Sequence, residues 1–366
     1  MEISIIGLPA SGKTTIFNAL TKFTAENKPR SGAGLTINPA IAKVSDGRLT
    51  RLSGIFHPKK TTPAEIKYID IGGLSKSFGK EQGVSGQLLN TLSSADAILE
   101  VVRAFEDENI LHVEGKIDPL RDIETLDMEL IFSDLVIIEK RLGRLESSLK
   151  MGKSAERDAA LKEQELLLRI KQSLDKNIPI RLQNLTADEL RSLSNYQFLT
   201  AKPMLIVINI GEKQLASFEQ SLSDLKSKFS RPQIELISMC GKLEMELVQL
   251  SEQEAEEFRK DIGLKEPAFD AVIKHSYALL GLISFFTVGE DEVKAWTIRN
   301  NTPAVKAAGK IHSDIEKGFI RAEVIGYDDF LKSGNMAEAR KHGLLRLEGK
   351  TYIVQDGDII NFLFNV

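Results

Sequence analysis

The sequence predicts an α/β protein whose core is a mostly parallel β-sheet. Short β-rich runs alternate with helical stretches through the first hundred residues, beginning with a predicted helix over 13–22, and further strands follow residue 203. This alternation is typical of parallel sheets, because each helical crossover returns the chain to the same end of the sheet. The predicted strands are 2–6, 65–70, 97–102, 204–208 and 234–237.

Two further regions interrupt and follow this sheet. Between 135 and 174, leucine and isoleucine recur at steps of three and four around a polar break near 152–154. This spacing predicts two antiparallel helices packed as a short coiled-coil hairpin. The last region is rich in glycine and short β-rich runs, and predicts a small, mostly β domain with a helix near 336–342. We expect three domains: an α/β domain formed by 1–134 and 201–282, a helical insertion formed by 135–200, and a terminal domain formed by 283–366.

The composition excludes several classes of protein. The chain has 366 residues, 42% of them hydrophobic and 27% charged, which excludes wholesale disorder. The longest apolar run, 277–288, is shorter than the roughly 18 residues of a membrane span, and no secretory signal is visible. A net charge of −4 gives no sign of a DNA-binding coat. We expect a cytoplasmic protein without a membrane partner; its oligomeric state is open.

Residues 7–14 read GLPASGKT and fit the phosphate-loop pattern GxxxxGK[ST] between a predicted strand and a helix. Such loops curl so that backbone N–H groups and the helix N-terminus point at phosphate. Lys13 would then reach the β- and γ-phosphates, and Thr14 would ligate Mg²⁺. The nucleotide-binding residues predicted here are Gly7, Pro9, Ala10, Ser11, Gly12, Lys13, Thr14 and Thr15.

The segment 70–73, Asp-Ile-Gly-Gly, favours a nucleotide switch over a small-molecule kinase. In a DxxG motif the carboxylate of Asp70 lies near Mg²⁺ through water, and the N–H of Gly73 can contact the γ-phosphate. A kinase is expected to carry an arginine-rich lid, which the sequence does not show. Leu74 stands where many GTPases have a glutamine that orients the attacking water, so another group must position that water.

The nucleobase is predicted to lie beside Asn209 and Glu212, after the most apolar strand. GTPases usually carry NKxD here, and the aspartate binds two guanine N–H groups. This chain keeps the asparagine, lacks the lysine and offers a longer carboxylate, which favours ATP over GTP. Ser238, Met239 and Cys240 stand where a backbone loop normally closes over the base. We expect GTP to bind more weakly than ATP. A GTPase of the same fold, and a module that holds nucleotide as a structural ligand with negligible turnover, are the open alternatives.

With these motifs placed, the chain resembles the Obg-like ATPase family, also called the YchF family, over nearly its full length. Residues 70–74 are similar to the family's DIAGL, and 105–119 follow a family block almost residue for residue. The region ending in 362–366, FLFNV, is similar to the family's TGS domain, a ubiquitin-like β-grasp module. Asn209 and Glu212 match the family's NxxE, which accompanies ATP preference.

The resemblance implies slow ATP hydrolysis by a G-domain-like P-loop NTPase that associates with ribosomes or RNA. His112 matches a family histidine proposed to act in hydrolysis from a mobile loop, so the expected catalytic residues are Lys13, Gly73 and His112. Thr36 lies in a segment similar to the family's TIEP, and is a candidate Mg²⁺ ligand with Thr14 and Asp70.

The chain departs from the family at several positions and is identified as a divergent member. Ala10 and Ser11 replace the family's Asn-Val in the phosphate loop, and Glu100 replaces a family histidine. In the terminal domain, basic residues cluster near Phe319, which predicts either an RNA-facing patch with a stacking aromatic or an ordinary solvated face. These basic residues are Lys306, Lys310, His312, Lys317 and Arg321.

Overall fold

The structure, a computed structural model, describes residues 1–22, 30–32, 35–72, 86–149, 154–215, 218–229, 233–264 and 266–365. These residues form two compact units, one of 1–40 and 67–272 and one of 41–66 and 273–366. The expected three-domain division stays a prediction. The two groupings differ because 41–66 and 273–282 belong with the C-terminal residues in the observed units, and because 135–200 is part of the first unit.

The strands and helices alternate along the first part of the chain, as predicted. The strands are β1 (Glu2–Ile6), β2 (Arg30–Gly32), β3 (Leu35–Lys43), β4 (Lys60–Thr62), β5 (Glu65–Gly72), β6 (Ala97–Arg103), β7 (Met204–Asn209), β8 (Ile234–Met239), β9 (Leu282–Thr287), β10 (Glu292–Arg299), β11 (Phe319–Gly326), β12 (Arg346–Glu348) and β13 (Asp358–Phe364). The helices are α1 (Lys13–Thr21), α2 (Gly47–Phe56), α3 (Gly86–Ser94), α4 (Pro119–Leu149), α5 (Ser154–Leu174), α6 (Ala187–Leu193), α7 (Phe218–Phe229), α8 (Gly241–Leu247), α9 (Glu252–Asp261), α10 (Ala268–Leu279), α11 (Ala304–Ile311), α12 (Ser313–Lys317), α13 (Tyr327–Ser333) and α14 (Met336–Lys341).

The first unit contains a seven-stranded sheet in the order β2-β3-β5-β1-β6-β7-β8. The five strands from β5 to β8 in this order run parallel, whereas β2 pairs antiparallel with β3. Every residue of β6 and β7 is buried, which explains why both strands are mostly apolar, with Glu100, Arg103 and Asn209 as the polar exceptions. The predicted mostly parallel sheet is confirmed, and each of the five predicted strands is present.

The parallel direction of these strands decides where the functional residues meet. Because the carboxyl ends of parallel strands share one edge, the residues at or after the ends of β1, β5, β6 and β7 lie close together there. The phosphate loop follows β1, the DxxG aspartate lies near the end of β5, and Asn209 ends β7. The fold therefore brings together motifs that lie far apart in the sequence.

The helical hairpin is formed by α4 and α5, but α4 begins at Pro119, well before the predicted residue 135. Ile123, Leu126 and Leu130 pack in the core of the sheet, while the buried residues from Ile131 onward pack against α5. Ion pairs Arg141–Glu163 and Lys171–Glu139, at 2.7 and 3.2 Å, join the two helices in antiparallel order. Within the described ranges, no helix is long and apolar enough to cross a membrane.

The second unit contains a six-stranded sheet in the order β12-β11-β13-β9-β10-β4. β9 and β10 form an antiparallel hairpin, β13 runs parallel to β9, and α11 packs its alanines into the core. This arrangement is the expected β-grasp module. The added edge strand β4, which pairs parallel with β10, was not predicted.

The base of the hairpin is anchored by Asp134, a fully buried carboxylate on α4. It accepts hydrogen bonds from the backbone N–H of Leu199 and from the N–H and hydroxyl of Thr200, at 2.7 to 2.8 Å. Burial nevertheless raises the pKa of Asp134 to about 6, and the bonds from Thr200 and Leu199 oppose that rise. Asp134 thus fixes the segment that returns the chain from the hairpin to β7.

We expect Asp134→Ala to lower the free energy of unfolding by about 2–4 kcal/mol, because it leaves three buried donors without an acceptor. Urea denaturation followed by far-UV circular dichroism measures the change. Asp158→Ala, which removes an exposed carboxylate on α5, is the matched control and is expected to change stability little. Equal stability of the two variants would contradict the anchoring role.

Candidate functional site

The loop between β1 and α1 has the backbone conformation of a phosphate loop. Gly7, Ala10 and Gly12 have φ angles of 153°, 60° and 90°. A Cβ atom on Gly7 would lie 2.3 Å from the carbonyl oxygen of Val101, and one on Gly12 would lie 2.2 Å from Nδ2 of Asn209. Both positions therefore require glycine, whereas Ala10 adopts a left-handed conformation that L-residues with a side chain disfavour.

Lys13 curls back over this loop. Its Nζ donates hydrogen bonds to the carbonyl oxygens of Gly7 and Leu8, both at 2.9 Å. Burial lowers the pKa of Lys13 to about 8, although the nearby charge of Asp70 opposes the shift. A phosphate group would offer this ammonium a charged acceptor in place of two neutral carbonyls, so the side chain is ready to exchange partners.

Thr14 and Asp70 meet next to Lys13. The hydroxyl of Thr14 donates to Oδ2 of Asp70 at 3.0 Å. Burial raises the pKa of Asp70, while hydrogen bonds from Thr14 and Asn38 and the charge of Lys13 lower it. Oδ1 of Asp70 and Oδ1 of Asn38 are buried and have no hydrogen-bond partner in the described part of the chain. Hydroxyl, carboxylate and amide oxygens form a donor set that fits a hydrated divalent cation.

Sequence reasoning did not identify Asn38, which lies in β3 two residues after Thr36. The family-like segment drew attention to Thr36 instead. Gly73 and Leu74, on which the switch prediction partly rests, lie outside the described residues.

Asn209 links the phosphate loop to the opposite side of the site. Its Nδ2 donates to the carbonyl oxygen of Ser11, and its Oδ1 accepts from the N–H of Gly241, both at 3.0 Å. Its backbone carbonyl accepts from the N–H of Ala104 at 2.8 Å. A Cβ on Gly241 would lie 2.8 Å from Cδ1 of Ile16, so any larger residue here would have to displace the end of that side chain. The predicted asparagine is therefore a structural link within the site.

The segment after Asn209 differs from that of a guanine-binding protein. Ile210 occupies the position of the NKxD lysine and is buried, so it cannot pack over a base as that lysine does. Glu212 is partly exposed and pairs with Lys242 at 3.0 Å. Lys242 follows Gly241 at the start of α8, and no motif in the sequence pointed to it. A carboxylate paired with a cation thus stands at the predicted base-recognition position.

The segment predicted to close over the base begins inside a strand. Ser238 and Met239 are the last residues of β8, and the side chain of Met239 is buried. Cys240 is also buried, and burial raises the pKa of its thiol, which agrees with a packing role. The polar group that this segment turns toward Asn209 is the N–H of Gly241.

Sequence reasoning missed two residues beside the phosphate loop, Arg103 and Phe105. The ring of Phe105 approaches Gly12, and its Cε1 is 3.9 Å from the point where a Cβ atom on Gly12 would lie. The guanidinium of the buried Arg103 stacks on this ring at 4.5 Å. It also donates to the carbonyl oxygens of Phe105 and Ile110, at 3.1 and 2.9 Å. Arg103 therefore clasps both ends of the segment 105–110.

His112 is buried beside the phosphate loop. Its Nε2 lies 2.8 Å from Oδ2 of Asp122, and its Nδ1 accepts from the backbone N–H of Glu114 at 3.1 Å. This geometry fits a neutral ring that carries its proton on Nε2. His112 lines the same small cleft as Leu8 and Ser11. The resemblance implied a mobile loop, whereas here both ring nitrogens are hydrogen-bonded, and the ring must give up one of these bonds to contact water.

Glu100 lines the same cleft from β6. Its complete burial, together with the nearby charge of Asp127, holds its pKa well above the usual range. One of its carboxyl oxygens has no hydrogen-bond partner among the described residues. The residue that replaces a family histidine is therefore a buried carboxyl group whose charged form is disfavoured.

Of the two alternatives for the basic region of the terminal domain, the one that uses Phe319 as a stacking aromatic is wrong. Phe319 is 4% exposed and packs against Phe362 in the core, so it cannot reach a base. Lys306 pairs with Glu316 at 2.6 Å, and Asp314 lies near both His312 and Lys317. Much of the basic charge in this region is thus offset by neighbouring carboxylates.

Comparison with known families agrees with this geometry. Residues 2–140 match the model of a family described as 50S ribosome-binding GTPase. Residues 282–365 match the YchF-GTPase C-terminal family, which is described as a protein of unknown function.

Full-length relatives share the same architecture. The chain is 41% identical to the ribosome-binding ATPase YchF of Bacillus subtilis (strain 168), with all of both chains aligned. It is 38% identical to the protein of that name from Escherichia coli O157:H7, covering 100% of this chain and 99% of the relative. The solved structure of the Schizosaccharomyces pombe YchF GTPase matches with a TM-score of 0.86 at 32% identity, over 99% of this chain and 97% of that one.

The lowered pKa of Lys13 predicts a specific pH dependence. Phosphate binding requires the protonated amine, so we expect nucleotide affinity to fall about tenfold per pH unit once the pH exceeds the free-protein pKa of about 8. Fluorescence titration with a labelled nucleoside triphosphate measures this affinity. Lys13→Arg is the matched control, because its guanidinium stays charged and its profile should be flat. A wild-type profile as flat as that of the arginine variant would contradict the prediction.

Proposed function

The chain belongs to the YchF family, and from that premise we propose that it is a slow ATPase that uses nucleotide as a switch and associates with ribosomes. The observation that carries this proposal is that Lys13, Thr14 and Asp70 lie together beside a loop with the backbone conformation of a phosphate loop. The relatives named as ribosome-binding ATPases support the partner. A cytoplasmic location follows from the same proposal.

The phosphate chain would lie against the loop from Gly7 to Lys13. Backbone N–H groups and the N-terminus of α1 would face the phosphates, and Lys13 would leave its two carbonyl partners for phosphate oxygens. We infer that Thr14 and Asp70 hold Mg²⁺, with Asn38 and Thr36 as further candidate ligands. When bound, Mg²⁺ neutralises charge that develops on the phosphate oxygens.

The base side of the site favours ATP. Phe105 offers an apolar surface next to Gly12, and Asn209 is already committed to Ser11 and Gly241. The NKxD lysine is absent, and the aspartate that would bind two guanine N–H groups is replaced by Glu212, a longer carboxylate that pairs with Lys242. GTP remains a second candidate, because the family matched by 2–140 and the S. pombe relative are both described as GTPases.

We propose that His112 takes part in hydrolysis by positioning the attacking water. Asp122 would hold the ring in one tautomer and orientation, as carboxylates do in other histidine pairs. The bond from the N–H of Glu114 is the weaker restraint at 3.1 Å, and releasing it would free Nδ1 to accept a proton from water. Gly73 would contribute its N–H to the γ-phosphate.

We expect Lys13→Ala to reduce ATP turnover at least about 100-fold, because the charge aligned with the phosphates is lost. Single- and multiple-turnover hydrolysis of ATP and GTP, each with and without purified ribosomes, measures this. Wild type should bind ATP about tenfold more tightly than GTP. Lys140→Ala, on the exposed side of α4, is the control. Turnover unaffected by Lys13→Ala would overturn the proposal, and negligible wild-type turnover would favour a structural ligand.

We expect His112→Ala to lower kcat about 100-fold while nucleotide affinity stays unchanged, because the ring acts on water rather than on the nucleotide. Asp122→Asn should lower kcat less, since it disturbs the tautomer but keeps the ring. His342→Ala, which removes an exposed histidine in the second unit, controls for the substitution itself. Hydrolysis that survives His112→Ala would show that another group positions the water.

A further inference from the structure

The segment 105–118, here called the acidic loop, carries several acidic side chains that have no role in the proposed hydrolysis. It contains five carboxylates against one lysine, Lys116. These carboxylates are Glu106, Asp107, Glu108, Glu114 and Asp118. At the tip, Leu111 exposes 90% of its surface and Ile110 exposes 41%, so an apolar tip lies within a strongly acidic surface.

Arg121 partly offsets the charge of Glu114 and Asp118, whereas the three carboxylates at the start of the acidic loop have no such partner in the described part of the chain. Glu106, Asp107 and Glu108 are exposed, and within the described ranges no cation lies within ion-pair distance of them. The next basic residue along the chain after Lys116 is Arg121, whose guanidinium binds Asp122 and the carbonyl of Lys116, both at 2.7 Å. Among the described residues, the charge of Glu106, Asp107 and Glu108 is therefore left for a partner.

We propose that the acidic loop is a docking surface for a lysine- and arginine-rich protein surface. This inference rests on the proposed ribosome association, and it assigns the contact to ribosomal protein rather than to RNA. RNA phosphates would be repelled by the clustered carboxylates, whereas a basic protein surface is attracted to them and can bury the exposed leucine. Apolar contact at the centre with charges around it is the usual anatomy of a protein interface.

The same loop connects this surface to the nucleotide site. Arg103 binds the carbonyls of Phe105 and Ile110, so the tip and the ring beside Gly12 are held by one buried guanidinium. His112 directly follows Leu111, and its Nδ1 depends on a bond from Glu114, which is also in the loop. A partner that displaces the tip therefore acts on the bond that keeps His112 away from water. Docking is expected to raise hydrolysis through this path.

The test measures ribosome binding and hydrolysis separately. Co-sedimentation with purified ribosomes, over a range of salt concentrations, is compared for wild type, Leu111→Ser and the double variant Glu106→Lys/Glu108→Lys. The matched controls are Leu347→Ser, another exposed leucine, and Glu252→Lys/Glu257→Lys, the same charge change on α9. Binding to protein-free ribosomal RNA and ATP hydrolysis without ribosomes are measured for every variant.

We expect Leu111→Ser to weaken ribosome binding about tenfold through lost apolar contact. The charge-reversal variant should also bind more weakly and show a reduced dependence on salt. Basal hydrolysis should be unchanged in both variants, RNA binding should change no more than in the matched control variants, and ribosome-stimulated hydrolysis should fall.

Wild-type-like ribosome binding by both variants would overturn the docking surface while leaving the ATPase proposal intact. Binding to ribosomes or to protein-free RNA that tightens more than in the α9 charge-reversal control would also overturn it, because the loop would then face phosphate. A wild-type protein that neither binds ribosomes nor hydrolyses ATP would overturn the proposed function, and this inference with it.

Discussion

The side chain and carbonyl of Asn209 hold together the parts of the nucleotide site. Three segments depend on this one residue: the phosphate loop through Ser11, the start of α8 through Gly241, and the start of the acidic loop through Ala104. The two side-chain bonds are buried, where hydrogen bonds are strong and an unmatched group is costly. The missing side chains of Gly12 and Gly241 allow the approach, since a Cβ at either position would collide with neighbouring atoms.

Much of the fold could be predicted because its signals are local. Apolar runs that are buried on both faces revealed β6 and β7, and helical spacing revealed the hairpin. The short strand β4 has no such signal, because its place is set by pairing with β10, which lies far away in the sequence. The start of α4 was misplaced for a different reason. One continuous helix changes its packing partner near Ile131, and periodicity shows that a face is buried without showing against what.

The candidate site also contains residues that local sequence motifs predict and residues that no motif predicts. Lys13, Thr14 and Asp70 belong to motifs with fixed spacing, and the structure brings them together. Asn38 and Arg103 belong to no such motif, and their roles arise from neighbours supplied by the sheet. His112 was predicted on a flexible segment, but Asp122 at the start of α4 draws the ring into the interior. A polar loop sequence does not reveal that one of its side chains will be buried by a partner farther along the chain.

The continuity of α4 has a mechanical consequence. The carboxylate that holds His112 lies in its first turn, while its other end, Leu149, lies at the far end of the hairpin. At 1.5 Å per residue the helix is about 46 Å long, so a tilt of about 10° at its start would move the far end by about 8 Å. A small movement of α4 near the His112 ring therefore corresponds to a displacement of the far end that is as large as a protein side chain. Conversely, a force that moves the far end of the hairpin shifts the carboxylate beside the imidazole by a much smaller distance.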